Sequence, residues 1–561
     1  MTKNAMNEIS PRRGGKLLLE LLESEGVEYV FGNPGTTELP FIDALIDSKK
    51  IKYIWGLQEA SVVAMADGYA QASGRPGFVN LHTAGGLGHG LGNLLNAKVS
   101  GTPLVVTAGQ QDSRHSITDP LLFGDLTQIA TPAVKWAQEV HSAAQLPILI
   151  RRAFEDCAAA QSGPVFLSLP MDVMEEMTSV PIPPRSNVDR RPVAGSLDLL
   201  ADELAAIKPG RIAIIAGDEI SNHDATPEVV ALAEMLGAPV FGSSWPAHLP
   251  YPTNHPLWAG NLPTKATEIH AAVNDFDCIF ALGGKSFITI LYSEGSALPD
   301  QCELFQLSVD GRDLGRSYPT KLSVVGDIQK SLKVLNPLLS EKLASQATVF
   351  SGLLEDARQQ QRKRHEQLLL EAAQLSSLEY IHPLIAAQEM ARGIGSDTAI
   401  VDEAVVTAVH LRKFLNRNTV RRYSFLRGGA LGWGMPAAIG YSLGLGREPV
   451  VCLVGDGAAL YSPQAMWTAA HEKLPITFVV VNNREYNVLK NFMRSQPHFT
   501  SARENKFIAM DIVDPVIDYL ALAKSMGIPA KRIERASDIA AAIQTGIATG
   551  RPNLIEILVK E

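Results

Sequence analysis

Short apolar runs alternate along the chain with stretches in which apolar residues recur at helical spacing, and turn residues separate the two. Runs of the first kind read as buried strands, those of the second as amphipathic helices. Residues 14–180 show the pattern in full. GKLLLELLESEG reads as a helix, EYVFGNPG as a strand into a tight turn, and PFIDALID and VAMADGYAQAS as helices. GFVNLH follows as a strand, LLNAKVS as a helix, and TPLVVTAG and PVFLSLP as strands. Such alternation predicts a parallel sheet with helices on its faces. The periodicity lapses at 180–195, VPIPPRSNVDRRPVAG, which reads as a linker. It resumes over 196–340 with the strands RIAIIAGDEI, PVFGSS, CIFALGG, ELFQLSVD and KLSVVGD. A charged helix within 345–378, LLEDARQQQRKRHEQLLLEAA, leads into a last unit at 380–561. The expected fold class is α/β, with three doubly wound parallel-sheet domains at 14–180, 196–340 and 380–561. No repeat among the three is visible in the residues.

The most informative stretch is Val451–Asn483. An apolar strand, PVVCLV, stops at Gly455-Asp456-Gly457. SPQAMWTAAHE then reads as a helix, with Ser462 as N-cap and Pro463 at its first position. A second strand, ITFVVV, ends on Asn482-Asn483. The two strands of such a unit lie parallel, which brings Asp456 and Asn483 to the sheet edge where open α/β sheets bind ligands. A carboxylate and an amide carbonyl are hard oxygen ligands for Mg²⁺ or Ca²⁺. The glycines allow close approach of a phosphate, and a helix N-terminus favours negative charge. The unit therefore suits a diphosphate held through a divalent metal, although a lone Gly-Asp-Gly also fits an ordinary turn.

Length and composition narrow the class. A chain of 561 residues that is 46% hydrophobic supports several large cores. Its net charge of −9 argues against nucleic acid as a partner. Cys157, Cys278, Cys302 and Cys452 are scattered without CxxC spacing, and read as buried thiols in a reducing compartment. MTKNAMNEISPRR has no apolar core of a signal peptide, and no apolar run is long enough to span a bilayer. A soluble, cytoplasmic protein is expected.

Three upstream segments carry polar residues at strand or helix ends. FGNPGTTELPF (31–41) is a strand, a turn and a helix start, with threonines suited to capping. LQEASVVAMADGYAQ (57–71) puts Glu59 at a helix N-terminus, where an acid is stabilised whatever else it does. NLHTAGGLGHGLGNLLNA (80–97) puts His82 at a strand end ahead of a glycine run. Each has an ordinary structural explanation when taken alone.

Together, and followed by G-x-LG-x-x-x-PAAIG (429–440), by Gly-Asp-Gly, and by NN-x-x-Y (482–486), they resemble the thiamine diphosphate-dependent 2-oxo acid decarboxylase and acetolactate synthase superfamily, and in particular its benzoylformate decarboxylases. The resemblance implies thiamine diphosphate and Mg²⁺ as cofactors. It implies metal ligation by Asp456, Asn483 and the main-chain carbonyl of Glu485. It places Gly455, Gly457, Ala458 and Tyr486 among the cofactor-binding residues. Glu59 is expected to hydrogen-bond the aminopyrimidine from a mostly apolar pocket, the Gly429 carbonyl to accept from its amino group, and Leu431 to hold the cofactor bent. His82 is the candidate for proton transfer, and Thr36 for contact with the substrate carboxylate. The implied activity is non-oxidative decarboxylation of a 2-oxo acid to an aldehyde and CO₂. The alternative is a carboligase of the acetolactate synthase or acyloin type, which shares every cofactor residue. A non-catalytic homologue is disfavoured, because Glu59, Asp456 and Asn483 are all present. The resemblance also implies a site shared between subunits, hence a homo-oligomer, usually a dimer of dimers.

The chain departs from the benzoylformate decarboxylase pattern in places. A second histidine of that family aligns with Ile290. His115, in GQQDSRHSITDP, is a substitute only if its loop folds into the site. Val488 and Phe492 occupy pocket-lining positions. Arg484, Lys490 and Arg494 read as solvated side chains, with a substrate carboxylate as the alternative partner, and Arg427 shares the ambiguity. AGDEI (216–220) has no GxGxxG, so the central domain reads as structural. His89 and Asn93 read as packing residues.

Overall fold

The computed structural model describes residues 10–417 and 421–560. Its strands are β1 (Arg12–Arg13), β2 (Tyr29–Gly32), β3 (Lys52–Trp55), β4 (Gly77–His82), β5 (Leu104–Gln110), β6 (Ala137–Glu139), β7 (Val165–Pro170) and β8 (Met177–Thr178) in the first part of the chain. The middle part holds β9 (Ile212–Ala216), β10 (Val240–Gly242), β11 (Trp258–Asn261), β12 (Cys278–Leu282), β13 (Glu303–Ser308) and β14 (Leu322–Val325). The last part holds β15 (Ala399–Glu403), β16 (Tyr423–Phe425), β17 (Val450–Gly455), β18 (Ile476–Asn482), β19 (Ala530–Ile533) and β20 (Asn553–Leu558). They form three six-stranded sheets, in the orders β3-β2-β4-β5-β7-β6, β11-β10-β9-β12-β13-β14 and β16-β15-β17-β18-β20-β19. Every pairing within these sheets is parallel. β1 and β8 form a separate antiparallel ribbon.

Renumbered within each domain, the first and last sheets share one order, 2-1-3-4-6-5, whereas the middle sheet runs 3-2-1-4-5-6. The residues hide this repeat because a strand buried on both faces needs only apolar side chains, not particular ones. β17 and β18, VVCLVG and ITFVVVN, are buried along almost their whole length.

The first and last domains share a core. One cluster of buried residues runs from Phe31, Val79 and Val106 of the first sheet to Val401, Val454 and Val480 of the last. Between the sheets lie the helices Glu59–Ser73 and Gly434–Gly444. Glycines set how closely these helices cross. A Cβ on Gly440 would lie 1.7 Å from the Met65 carbonyl oxygen, and one on Gly68 would lie 2.1 Å from that of Ala437. The middle domain has its own two clusters, one on each face of its sheet.

The segment before the middle domain lacks regular structure but is pinned. Asp189 meets Lys330 at 2.7 Å, and the Pro192 carbonyl accepts from the Asp327 amide at 2.8 Å. The charged helix spans Ala347–Leu375, with only Phe350 and Ala372 buried. The expected helix at Ser462 begins later, at Ala465–Glu472, after an additional short helix at Asp456–Ala459. Ser462 is buried and its hydroxyl caps nothing. Thr83–Ser100 is one continuous helix despite its five internal glycines, which the apolar pattern had reduced to LLNAKVS.

Candidate active site

The C-terminal edge of the first sheet gathers the polar residues that follow its strands. Asn33 follows β2, Glu59 begins the helix after β3, and His82 ends β4. Gln58 caps that helix by accepting from the Ser61 amide, which leaves the Glu59 carboxylate free to turn towards the edge. Glu59 accepts from Asn33 Nδ2 at 3.1 Å and meets His89 Nδ1 at 3.1 Å. Gly86 makes the space, since a Cβ there would sit 3.2 Å from Glu59 Cγ. Within this chain Glu59 therefore has two polar partners, Asn33 and His89. His89 is a partner of Glu59 and not a packing residue, with its ring 65% exposed. Asn93 is buried and donates to the Ala60 carbonyl, which ties the two helices together.

His82 has a fixed orientation. Its Nδ1 lies 2.9 Å from Glu38 Oε2 and 3.1 Å from Thr37 Oγ1. Glu38 is buried and accepts from the Gly35 amide. Two glycines admit this arrangement. A Cβ on Gly35 would lie 2.2 Å from the His82 ring, and one on Gly109 would lie 2.0 Å from Glu38 Oε1. The Glu38 contact raises the His82 pKa above its ordinary value, against partial burial, which lowers it. Glu38 carries no distinguishing signal in the sequence, because it falls within a turn and helix start, where an acid needs no other reason. Thr36 is exposed on the turn Thr36–Glu38. His115 lies on the exposed turn Ser113–Thr118. Ile290 is 54% exposed.

The last sheet presents the second group. In register, Gly455 pairs with Val481, so Asp456 and Asn483 emerge at one edge. Asp456 is buried, with Oδ1 accepting from the Gly457 amide and Oδ2 from the Arg484 amide. Burial raises its carboxyl to about 6 although these amides pull the other way. Asn483 Oδ1 accepts from the Glu485 amide at 3.1 Å. The Tyr486 ring covers Gly457, where a Cβ would lie 2.5 Å from Cε1, and Ala458 is buried beneath the turn. Among the described residues, chain neighbours apart, nothing lies within 4 Å of the position a Gly455 Cβ would take. A carboxylate, an amide carbonyl and a main-chain carbonyl form an all-oxygen set that fits Mg²⁺, and the open face of Gly455 fits a phosphate. No cluster of three His, Cys, Asp or Glu among the described residues offers another metal site.

The segment Arg427–Gly434 carries Gly429 and Leu431. Gly429 and Gly432 have φ of +82° and +91°, a region that side chains other than glycine rarely adopt. Both backbone groups of Ala430 bond to the Asn96 side chain, at 3.0 and 2.8 Å. Glu403 accepts from the amides of Gly432, Trp433 and Gly434. Burial pushes the Glu403 carboxyl up to about 7 against those donors. Trp433 Nε1 donates to Asp67 at 2.7 Å. Leu431 is half-buried against the shared core.

Two cations expected in solvent are not there. Lys490 is buried and bridges Glu485 and Asp511, and Arg427 is buried against Asp218. Arg484 and Arg494 are exposed, Arg494 over the Phe507 ring at 5.0 Å. Val488 is 47% exposed, and Phe492 is half-buried near Phe499.

Comparison with known proteins defines the class. Residues 12–129 match the thiamine pyrophosphate enzyme N-terminal TPP binding domain, 198–335 the central domain and 404–557 the C-terminal TPP binding domain. The chain belongs to the thiamine pyrophosphate (thiamine diphosphate) enzyme family. It is 31% identical over 547 residues to benzoylformate decarboxylase of Pseudomonas aeruginosa, covering 96% of this chain and 97% of that protein. It is 25% identical over 592 residues to the mitochondrial acetolactate synthase catalytic subunit of Aspergillus candidus, covering 100% and 82% respectively. Among solved structures, the thiamine diphosphate-dependent 4-hydroxybenzoylformate decarboxylase of Rhodococcus jostii superposes with a TM-score of 0.85 at 27% identity, over 98% of this chain and 99% of that one.

Proposed function

We propose that the protein is a thiamine diphosphate- and Mg²⁺-dependent decarboxylase that converts a 2-oxo acid to an aldehyde and CO₂. The observation that carries this reading is His82, oriented by buried Glu38 and biased towards its protonated form. A decarboxylase must end its cycle by delivering a proton, and a histidine with a raised pKa is suited to that step near neutral pH. Asp456, Asn483 and the Glu485 carbonyl would hold the metal, and Gly455 to Ala458 with Tyr486 would hold the diphosphate. Gly429 and Leu431 would receive the ring end, and Glu59 would bond the aminopyrimidine. When bound, the cofactor supplies an electron sink for the pair released as CO₂ leaves. Thr36, exposed at the same edge as His82, would orient the substrate carboxylate.

The substrate side chain is proposed to be apolar. Ile117, Leu121, Leu122 and Phe123 are all exposed on the loop after β5. That loop folds back on the end of β5, because Gln110 Nε2 donates to the Gly124 carbonyl and Gln111 Nε2 to that of Leu121. An aryl 2-oxo acid, as in the names of two relatives above, suits such a lining.

One observation favours carboligation. Ile290 supplies no proton where a histidine stands in the benzoylformate decarboxylase pattern, so a second carbonyl compound has longer to react. The assay that separates the two supplies aryl, branched and short 2-oxo acids with thiamine diphosphate and Mg²⁺, and follows CO₂, aldehyde and 2-hydroxy ketone together. Equal CO₂ and aldehyde are expected. CO₂ with a 2-hydroxy ketone in place of aldehyde would reassign the protein as a carboligase. No CO₂ from any acid would overturn both readings.

We also propose a homo-oligomer built from dimers. The helix Thr83–Ser100 exposes Gly85, Gly88, Gly92, Leu95 and Val99 along one face beside His89. A face of small and apolar residues at this spacing lets another helix approach closely. Four buried, unpaired cysteines fit a reducing, cytoplasmic setting, and no helix among the described residues is long and apolar enough to cross a membrane.

A further inference from the structure

The middle domain holds the upstream end of the segment that carries Gly429 and Leu431. Three contacts cross between the domains there. The Phe425 amide donates to the Ala247 carbonyl at 2.8 Å, Trp245 Nε1 donates to the Leu426 carbonyl at 3.2 Å, and the Trp245 and Phe425 rings meet edge to face at 4.8 Å. Beyond them Arg427 pairs with Asp218 Oδ2. Both side chains are more than nine-tenths buried, at 9% and 7% exposure. The other Asp218 oxygen accepts from the amides of Ala247 and His248, at 2.9 and 3.1 Å. One carboxylate therefore fixes both the 245–248 turn and Arg427.

Its position in the fold is specific. Asp218 follows β9, the first strand of a sheet ordered 3-2-1-4-5-6, at the edge where the strand order reverses. Sheets of this order bind their ligands in that crevice. Here Arg427, from the neighbouring domain, enters it.

We propose that Arg427 and Asp218 are a positioning pair for the cofactor ring, with the crevice of the middle domain serving as the clamp for segment 427–434. This rests on the thiamine diphosphate reading above. The downstream half of the segment is fixed by Asn96 and Glu403. Two left-handed glycines lie between Arg427 and Trp433, and glycine loses more conformational freedom on ordering than any other residue. Without the upstream clamp, Gly428 and Gly429 would sample other conformations, and the Gly429 carbonyl would lose its direction. The diphosphate end, at Gly455 to Ala458, lies on a different strand and does not depend on the clamp.

Asp218→Asn tests the charge with little change in shape, since the remaining amide oxygen still accepts from Ala247 and His248. Arg427→Met removes the guanidinium, and the double variant Asp218→Asn/Arg427→Met removes both charges, so that neither stays buried and unpaired. Calorimetry on the full-length protein in Mg²⁺ would give the dissociation constants of thiamine diphosphate and of inorganic pyrophosphate, beside the thermal midpoint of each variant. We expect thiamine diphosphate to bind about tenfold or more weakly in all three variants, with pyrophosphate binding within about twofold of wild type. The double variant is expected to recover the thermal midpoint but not the cofactor affinity. Recovery of both, or unchanged cofactor affinity in Arg427→Met, would reduce the pair to a stabilising contact and overturn the proposal. Weakening of pyrophosphate in parallel would overturn it too, because the effect would then be global. Failure of the wild-type protein to bind thiamine diphosphate would instead remove the functional reading on which the proposal rests.

Discussion

His82 Nδ1 lies 2.9 Å from Glu38 Oε2, and the Glu38 side chain is fully buried. Glycines on two different segments make room for the pair, Gly35 under the ring and Gly109 under the carboxylate. A histidine held this way binds its proton more tightly in the folded chain than the ordinary value of 6.5. The pair's contribution to stability is therefore complete below pH 6.5 and is lost as pH rises through the raised folded value.

Replacing Glu38 with Gln is expected to move the His82-dependent limb of kcat/KM to lower pH. The thermal midpoint should fall most below pH 6.5 and least in alkaline buffer. A pH–rate profile with an unmoved limb would show that Glu38 does not set the His82 proton. His82→Ala should lower turnover by about 10²–10⁴.

Glu59→Gln is expected to keep thiamine diphosphate binding and lose turnover by about 10²–10⁴, because an amide still accepts a hydrogen bond but cannot exchange a proton. Calorimetry and steady-state rates on the same preparation check this. A fully active variant would exclude Glu59 from the chemistry.

Asp456→Ala should abolish the Mg²⁺ dependence of cofactor binding. Burial raises the Asp456 carboxyl to about 6, so in the metal-free protein it carries a proton at lower pH. Binding of a cation requires that proton to leave. Cofactor uptake in Mg²⁺ should therefore weaken as pH falls below about 6, with proton release that is present at acidic pH and absent at pH about 8. Calorimetry in buffers of different ionisation enthalpy measures this, and equal release at both pH values would exclude Asp456 as the titrating ligand.

Gly440→Ala is expected to destabilise the chain by about 1–3 kcal/mol or more, because the added methyl meets a backbone carbonyl, which cannot rotate away. That carbonyl, of Met65, lies 1.7 Å from where the Cβ would sit. Urea unfolding measures the loss. A neutral result would mean that the helices Glu59–Ser73 and Gly434–Gly444 separate without cost.

The sequence by itself determined the alternation of strands and helices and the edge it presents, though not every element: the strand Lys52–Trp55 before Glu59 and the full extent of Thr83–Ser100 emerge only in the structure. Strand and helix periodicity is local, and parallel connection obliges Asp456 and Asn483, or Glu59 and His82, to emerge where their strands end. It could not determine what those residues touch. Glu38 reaches His82 across 44 positions, His89 reaches Glu59 across 30, and Asp67 reaches Trp433 across 366. Arg427 and Lys490 carry the pattern of solvated cations, and only the approach of Asp218 from another domain, and of Glu485 and Asp511 from neighbouring segments, makes their burial tolerable. The shared core of the first and last domains, and their common strand order, likewise belong to the tertiary structure. Periodicity records that a face is buried, while the identity of its partner is decided by contacts between segments far apart in the chain.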